Sequence, residues 1–432
     1  MGRALTVAVV ALVLLSGCSG VTDGGDTASP DGDASDTATP ATTDTELPPT
    51  ATPVTTTSIE PVETPTTDYG DPENVAITVE NGQVPYDQNR TWVRVLDLLD
   101  VNAEPPTRVE YIRGQQGIRG QAAGGDVYLD SKDEAVLAHE FIHIALSRLT
   151  PEPPRSSADE RFARDAISEG SAEYVERVYA ARYLDREGAL YRELPNDPGR
   201  AYVIAPYVLG YDYVDGQVND TSEVLGLHRY PPDTSEAIIH GLEPGSEPPA
   251  PLFVTAADRH LSTDAEWRYD GTRTLGEIVL LLTLRTRLGD ERAAEGAAGW
   301  GNDGVLTIVD GDTGEQAFVW VQRWDDRENA SQFVTVGSEY VASDPPFAPP
   351  GDGGNLGNLP QPEFLETVWG PTDKTFEVQR VGPLTTALVV GPEGFAGDVS
   401  YERDGQRVRV SVGDSDGDGD GGGGGEGEES GD

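Results

Sequence analysis

Five consecutive residues near the first third of the chain, His139-Glu140-Phe141-Ile142-His143, have the types and spacing to hold a divalent metal ion and hydrolyse a bond with it. Residues four apart lie on one face of an α-helix, so both imidazoles can point at a single ion. Glu140 is turned by about 100° from His139. That puts its carboxylate beside such an ion, where it can take the proton of a metal-activated water. The chain has only five histidines in 432 residues, so an accidental match is rare. The alternative is a buried helix whose two histidines are satisfied core residues.

The elements around this motif are legible. The stretch Lys132 to Leu149 is apolar on nearly every side, which predicts a buried helix. Ser131-Lys132-Asp133-Glu134 reads as a capping box that opens it. A second helix is predicted over Ala158 to Leu184, opened by Ser157-Ala158-Asp159-Glu160, with Phe162, Ala166, Glu169 and Glu173 along one face. A catalytic zinc usually takes three protein ligands. The metzincin pattern is excluded, because Leu146 and Leu149 stand where it needs Gly and His. A glutamate on the second helix remains. That helix offers Glu160, Asp165, Glu169 and Glu173, which would serve in different registers.

His-Glu-x-x-His followed by a helix bearing Glu169-Gly170-Ser171-Ala172-Glu173 resembles the gluzincin branch of zinc metallopeptidases, over the span from Arg108 to roughly Gly210. The resemblance implies a zincin-like α+β fold: a small mixed sheet, an active-site helix and a glutamate helix. It implies zinc held by His139, His143 and Glu169, with Glu140 as general base in peptide-bond hydrolysis. It also implies that Glu173, one turn on, fixes the tautomer of a ligand imidazole. Gluzincins use a later Tyr or His to stabilise the oxyanion, and His240 and Tyr207 are the candidates here. Gly125 to Asp130 would be the edge strand beside the active helix, pairing with an extended substrate. Two further segments resemble uncharacterised proteins with the same zinc motif. These are Arg229 to His240, with Pro206 to Gly210 before it, and Gly299 to Asp303 with Trp320, Trp324 and Asp325.

The ends set the expected compartment. Arg3, an apolar run from Ala4 to Leu15, and Leu15-Ser16-Gly17-Cys18 read as a signal peptide ending in a lipobox, with Cys18 as the lipidated residue. Cys18 is the only cysteine, which excludes disulfides and cysteine metal ligands. Residues 19–73 are rich in Thr, Asp and Pro and read as a disordered stalk. Residues 413–432 read as an acidic Gly/Asp tail. It begins like a calcium loop at Asp414, but has Gly425 where the loop needs a bidentate Glu. Between the ends, 74–245 is expected to be the metallopeptidase domain and 246–412 a second α+β region.

Charge narrows the partners. With 76 acidic and 30 basic residues the formal net charge is −46, and Lys132 and Lys374 are the only lysines. This composition resembles proteins of extreme halophiles, whose carboxylate repulsion is screened by salt. It argues against nucleic acid as a partner. The expected partners are the membrane, through lipid at Cys18, and a protein or peptide substrate. The competing readings are a non-catalytic envelope protein that keeps the fold for binding, and a metal-dependent hydrolase of another bond.

Overall fold

The computed structural model describes residues 65–112, 119–150, 157–188, 192–256, 267–343, 362–370 and 372–413. The leader, Cys18, most of the stalk and the acidic tail lie outside these residues. Among the described residues no helix is long and apolar enough to cross a membrane.

The chain is mixed α and β. Strand β1 (Thr78–Glu80) and helix α1 (Gln88–Leu99) lead into β2 (Arg108–Tyr111), β3 (Gly120–Ala123) and β4 (Asp126–Leu129). These strands form a sheet in the order β1-β2-β4-β3, with β1, β2 and β4 parallel and β3 antiparallel to β4. The edge strand beside the motif is therefore β3, and the Gly125 to Asp130 segment lies one place inside, a correction to the expectation. The cause is the turn: Gly124 and Gly125, with φ of 60° and 83°, fold β3 back onto β4 in a two-residue hairpin. Gly120-Gln121-Ala122-Ala123 has no β-branched residue to announce a strand.

Helix α2 (Glu134–Leu149) carries the metal motif and is buried on almost every side. Its N-cap is Asp133, which accepts from the Ala135 amide, whereas Ser131 accepts from the Asp133 amide. The helix thus starts two residues later than a Ser131 capping box requires. Helix α3 (Ala158–Tyr183) is capped as expected, with Ser157 accepting from the Glu160 amide at 3.0 Å.

Helix α4 (Pro198–Gln217) crosses α3 at very close range. A Cβ added at Gly170 would lie 2.1 Å from the Gly210 carbonyl carbon, and one at Gly210 would lie 2.1 Å from the Ala166 carbonyl oxygen. Only glycine fits at both places. Short helices α5 (Val224–Arg229) and α6 (Ser235–His240) follow, then strand β5 (Phe253–Ala256).

The rest of the chain builds a layered unit. Strand β6 (Trp267–Arg273), helices α7 (Glu277–Leu288) and α8 (Asp290–Ala297), strands β7 (Trp300–Asp310) and β8 (Gln316–Trp324), and helices α9 (Arg327–Ala342) and α10 (Pro362–Trp369) come first. Then come β9 (Thr375–Gly382), β10 (Thr385–Gly391), the single turn α11 (Phe395–Asp398), β11 (Val399–Asp404) and β12 (Arg407–Val412). Five strands form an antiparallel sheet, β6-β7-β8-β10-β9, and β11-β12-β5 form a second, smaller one.

The five-stranded sheet is covered on both faces, which explains its nearly continuous apolar strands. Along β8, Phe318 and Trp320 join the main core with Phe364 of α10, while Ala317, Val319 and Val321 pack with Val254, Val408 and Val410 of the small sheet. The main core runs unbroken from Trp92 through α2, α3 and α7 to Trp324, so the two regions of the chain share it.

A buried polar relay also crosses between them. Asp159 of α3 accepts from the Ser235 amide and hydroxyl, Ser235 Oγ accepts from the Ile278 amide, and Asp303 of β7 accepts from the Leu275 and Gly276 amides. Burial pushes the Asp159 carboxyl up to about 7 and that of Asp303 to about 6, although these hydrogen bonds pull the other way.

Two outcomes follow from this packing. Gly210→Ala should destabilise the protein by on the order of 3 kcal/mol or more, because backbone rather than a movable side chain blocks the new methyl; denaturant melts at high salt measure it. A carboxyl raised on folding favours the folded state while protonated, so the Asp159 contribution is full below about pH 4 and is lost as pH rises through about 7. Asp159→Asn, which keeps an acceptor for Ser235, should show a shallower fall in Tm from pH 4 to pH 7.5 than the parent.

Candidate metal centre

Helices α2 and α3 bring three of the four predicted ligand and base residues to one point and place the fourth beside it. His139 Nε2, His143 Nε2 and Glu169 Oε2 form a triangle with edges of 3.2, 3.2 and 3.5 Å. Tetrahedral coordination with metal–ligand bonds near 2.0–2.1 Å separates ligand atoms by about 3.3 Å. The triangle has that size before any ion is considered. Glu169 Oε2 is buried and accepts no hydrogen bond, although both imidazole Nε2 atoms stand within 3.5 Å of it. A buried carboxylate oxygen left this way is costly unless a cation completes it. The residues present therefore fit a zinc ion.

Each imidazole is fixed from behind. His139 Nδ1 lies 3.2 Å from Glu176 Oε2, and His143 Nδ1 lies 3.2 Å from Ser168 Oγ. These contacts turn both Nε2 atoms towards the shared point. The role expected of Glu173 belongs to Glu176, a correction with a simple cause. At about 100° per residue, the seventh residue after Glu169 returns to within about 20° of its azimuth, whereas the fourth overshoots by about 40°. Glu173 is still buried against His139 and Glu176. Burial, with the neighbouring carboxylates and against the pull of His139, raises its carboxyl to about 7.

Charge in the site follows from proximity. Burial works against a charged His139, but Glu169 and Glu176 outweigh it and hold the imidazole well above its usual value. Glu169 is driven the other way: burial raises it, and the two imidazoles bring it far below the carboxylate range. Glu140 is 5% exposed, and burial raises its carboxyl despite the nearby histidines. It lies against the edge strand, where a Cβ on Gly120 would come within 2.5 Å of its Oε1. The side chains of His143 and Glu169 keep 10% and 13% exposure, so the shared face is not sealed.

Tyr207 and His240 separate. The Tyr207 ring stacks on His139 at 6.4 Å with planes 15° apart, and its hydroxyl hydrogen-bonds Glu169. Burial and the adjacent carboxylates raise its phenol well above the usual value, so it stays a proton donor. His240 ends α6 and pairs with Glu277 of α7 at 3.0 and 3.1 Å, away from the triangle. The structure does not bring it to the triangle. The histidine that does approach is His228 of α5, whose Nε2 lies 3.2 Å from Ser171 Oγ. Burial, then the neighbouring His143, lowers it to about 3, so it is neutral. Ser171 stands inside the Glu169 to Glu173 motif, but nothing in the spacing of His228 links it to that turn.

Residues 267–382, from β6 to the end of β9, match a family described as a domain of unknown function (DUF8575). The match leaves out α2 and α3. No curated protein and no solved structure matches the chain.

Zinc content after dialysis tests the arrangement. We expect about one zinc per chain, lost in His143→Ala and unchanged in His240→Ala. Glu176→Gln should weaken zinc binding by about 10- to 100-fold, and more than Glu173→Gln does.

Proposed function

We propose that the chain is a zinc-dependent hydrolase of peptide bonds, with a zincin-like arrangement of α2 and α3. The observation that carries the reading is the size of the triangle made by His139, His143 and Glu169, with the orphaned Glu169 oxygen at one corner. When bound there, zinc would supply a Lewis acid that polarises a carbonyl and lowers the pKa of water.

The chain's own groups would do the rest. Glu140, raised by burial, takes the proton from the attacking water and returns it to the leaving amine. Tyr207 donates its hydroxyl to the oxygen on which charge develops. Glu176 and Ser168 hold the two imidazoles in the tautomer that leaves Nε2 free. The open edge of β3, with its backbone against Glu140, gives an extended peptide a strand to pair with.

The location is proposed from sequence. Cys18 carries a lipid, and the Thr- and Pro-rich segment after it holds the folded part away from the membrane. A second anchor or contact would strengthen a single chain. The charge of −46 suits a high-salt medium and a protein or peptide substrate rather than nucleic acid.

Glu140→Gln tests the chemistry apart from the metal. In molar salt, against a mixed library of fluorogenic peptides, the variant should retain zinc and lose about 10²- to 10⁴-fold in kcat/KM. Full activity in the variant would sink the proposal. Zinc bound by the parent without turnover of any peptide would favour a binding role for the same site.

A further inference from the structure

His240 leaves a motif unexplained. The segment that carries it, Pro231-Pro232-Asp233-Thr234-Ser235-Glu236-Ala237-Ile238-Ile239-His240, also holds Glu236. Glu236 is only 4% exposed, and no hydrogen bond or ion pair reaches its carboxylate among the described residues. It points at two further carboxylates. One oxygen each of Glu236, Glu247 and Asp325 lie within 4.8 Å of one another.

Neighbouring bases offset part of the charge on Asp325, through Arg323 and His240, but make no hydrogen bond or ion pair with any of the three among the described residues. His240 is committed to Glu277, and Arg323 Nη1 donates to the backbone carbonyls of Trp324 and Leu384. No arginine or lysine forms a salt bridge with any of the three among the described residues. A buried carboxylate facing two like charges without a donor is unfavourable unless a cation or a proton sits between them.

The frame around the cluster is held in place. Thr234 caps α6 by accepting from the Ala237 amide, and Ser235 is locked to Asp159. The Asp325 amide donates to the Gly299 carbonyl. Beyond Glu247, the Ala250 amide donates to the Gly301 carbonyl, and Asn302 Nδ2 donates back to Ala250 at 2.7 Å. The three carboxylates therefore come from three separately anchored segments: α6, the chain between α6 and β5, and the end of β8.

We propose that Glu236, Glu247 and Asp325 form a second cation site, which takes a hard divalent ion of the calcium class. The ligand atoms are all oxygens, with no imidazole or thiol among them, which favours calcium over zinc. Three carboxylates supply up to six oxygens when bidentate, within the six to eight that calcium uses. Glu247 and Asp325 are exposed, so water completes the shell. The ion joins α6 to the end of β8, across the boundary of the matched family at residue 267, and pins the Pro-rich segment between them. The site is independent of the zinc reading and shares no residue with it.

Calcium titration of the full chain in about 1 M KCl tests this, since screening over about 3 Å then suppresses diffuse binding to the many other carboxylates. Calorimetry should show one saturable calcium site per chain, at least tenfold weaker in Glu236→Gln and in Asp325→Asn, and unchanged in His143→Ala. The melting temperature gives a second signature. Without calcium, Glu236→Gln should melt higher than the parent, because a buried like charge is gone; with saturating calcium the order should reverse. Glu247→Gln, at an exposed position that does not threaten folding, should also weaken calcium at least tenfold. No saturable site in the parent, or variants that bind as the parent does, would overturn the proposal and leave a proton as the cation of the cluster.

Discussion

The close crossing of α3 and α4 is the constraint on which the candidate centre depends. Gly170 and Gly210 let the two backbones approach until neither could carry a methyl group. Gly170 is the residue after Glu169, and Tyr207 lies one turn before Gly210 on α4. The same contact that packs the helices therefore fixes the phenol over His139 and against Glu169. Larger residues would separate the helices and withdraw the donor from the carboxylate. Packing and chemistry are set here by a single pair of glycines.

Around that crossing the polar groups are arranged in shells. The triangle of His139, His143 and Glu169 is inner, and Glu176 and Ser168 stand behind the imidazoles. Glu140 and Glu173 are held near them with carboxyls raised by burial. So many acidic groups in a buried place are tolerable only where cations or protons are shared among them. Removing the positive partner would leave uncompensated carboxylates in the core of α2 and α3.

The excess of carboxylate also shapes the joint between the two regions. The relay from Asp159 through Ser235 to α7, and on to Asp303, satisfies backbone donors that would otherwise be orphaned at the start of α7. The acidic group of Glu236, Glu247 and Asp325 lies at the same joint. Acidic residues here are structural ligands for amide donors as well as solvated surface, which a count of charge does not reveal.

The sequence by itself determined what depends on short-range periodicity. Four-residue spacing put His139 and His143 on one face, an all-round apolar pattern marked α2 as buried, Ser157 marked the start of α3, and β4 was legible from Asp126 to Leu129. The resemblance to the gluzincin pattern implied Glu169, and the structure brings its Oε2 within 3.5 Å of both imidazole Nε2 atoms. Only the tertiary structure decided which carboxylate meets His139 Nδ1, because Glu176 is 37 residues away and reaches it through the crossing of α2 and α3. It decided likewise that His240 turns to Glu277, also 37 residues on, while His228 approaches Ser171. The edge strand β3 was hidden because glycines and alanines carry no strand signal, and pairing with β4 alone makes it a strand. Local pattern states which face of an element is apolar; which polar groups from distant elements share a point is settled by how those faces pack.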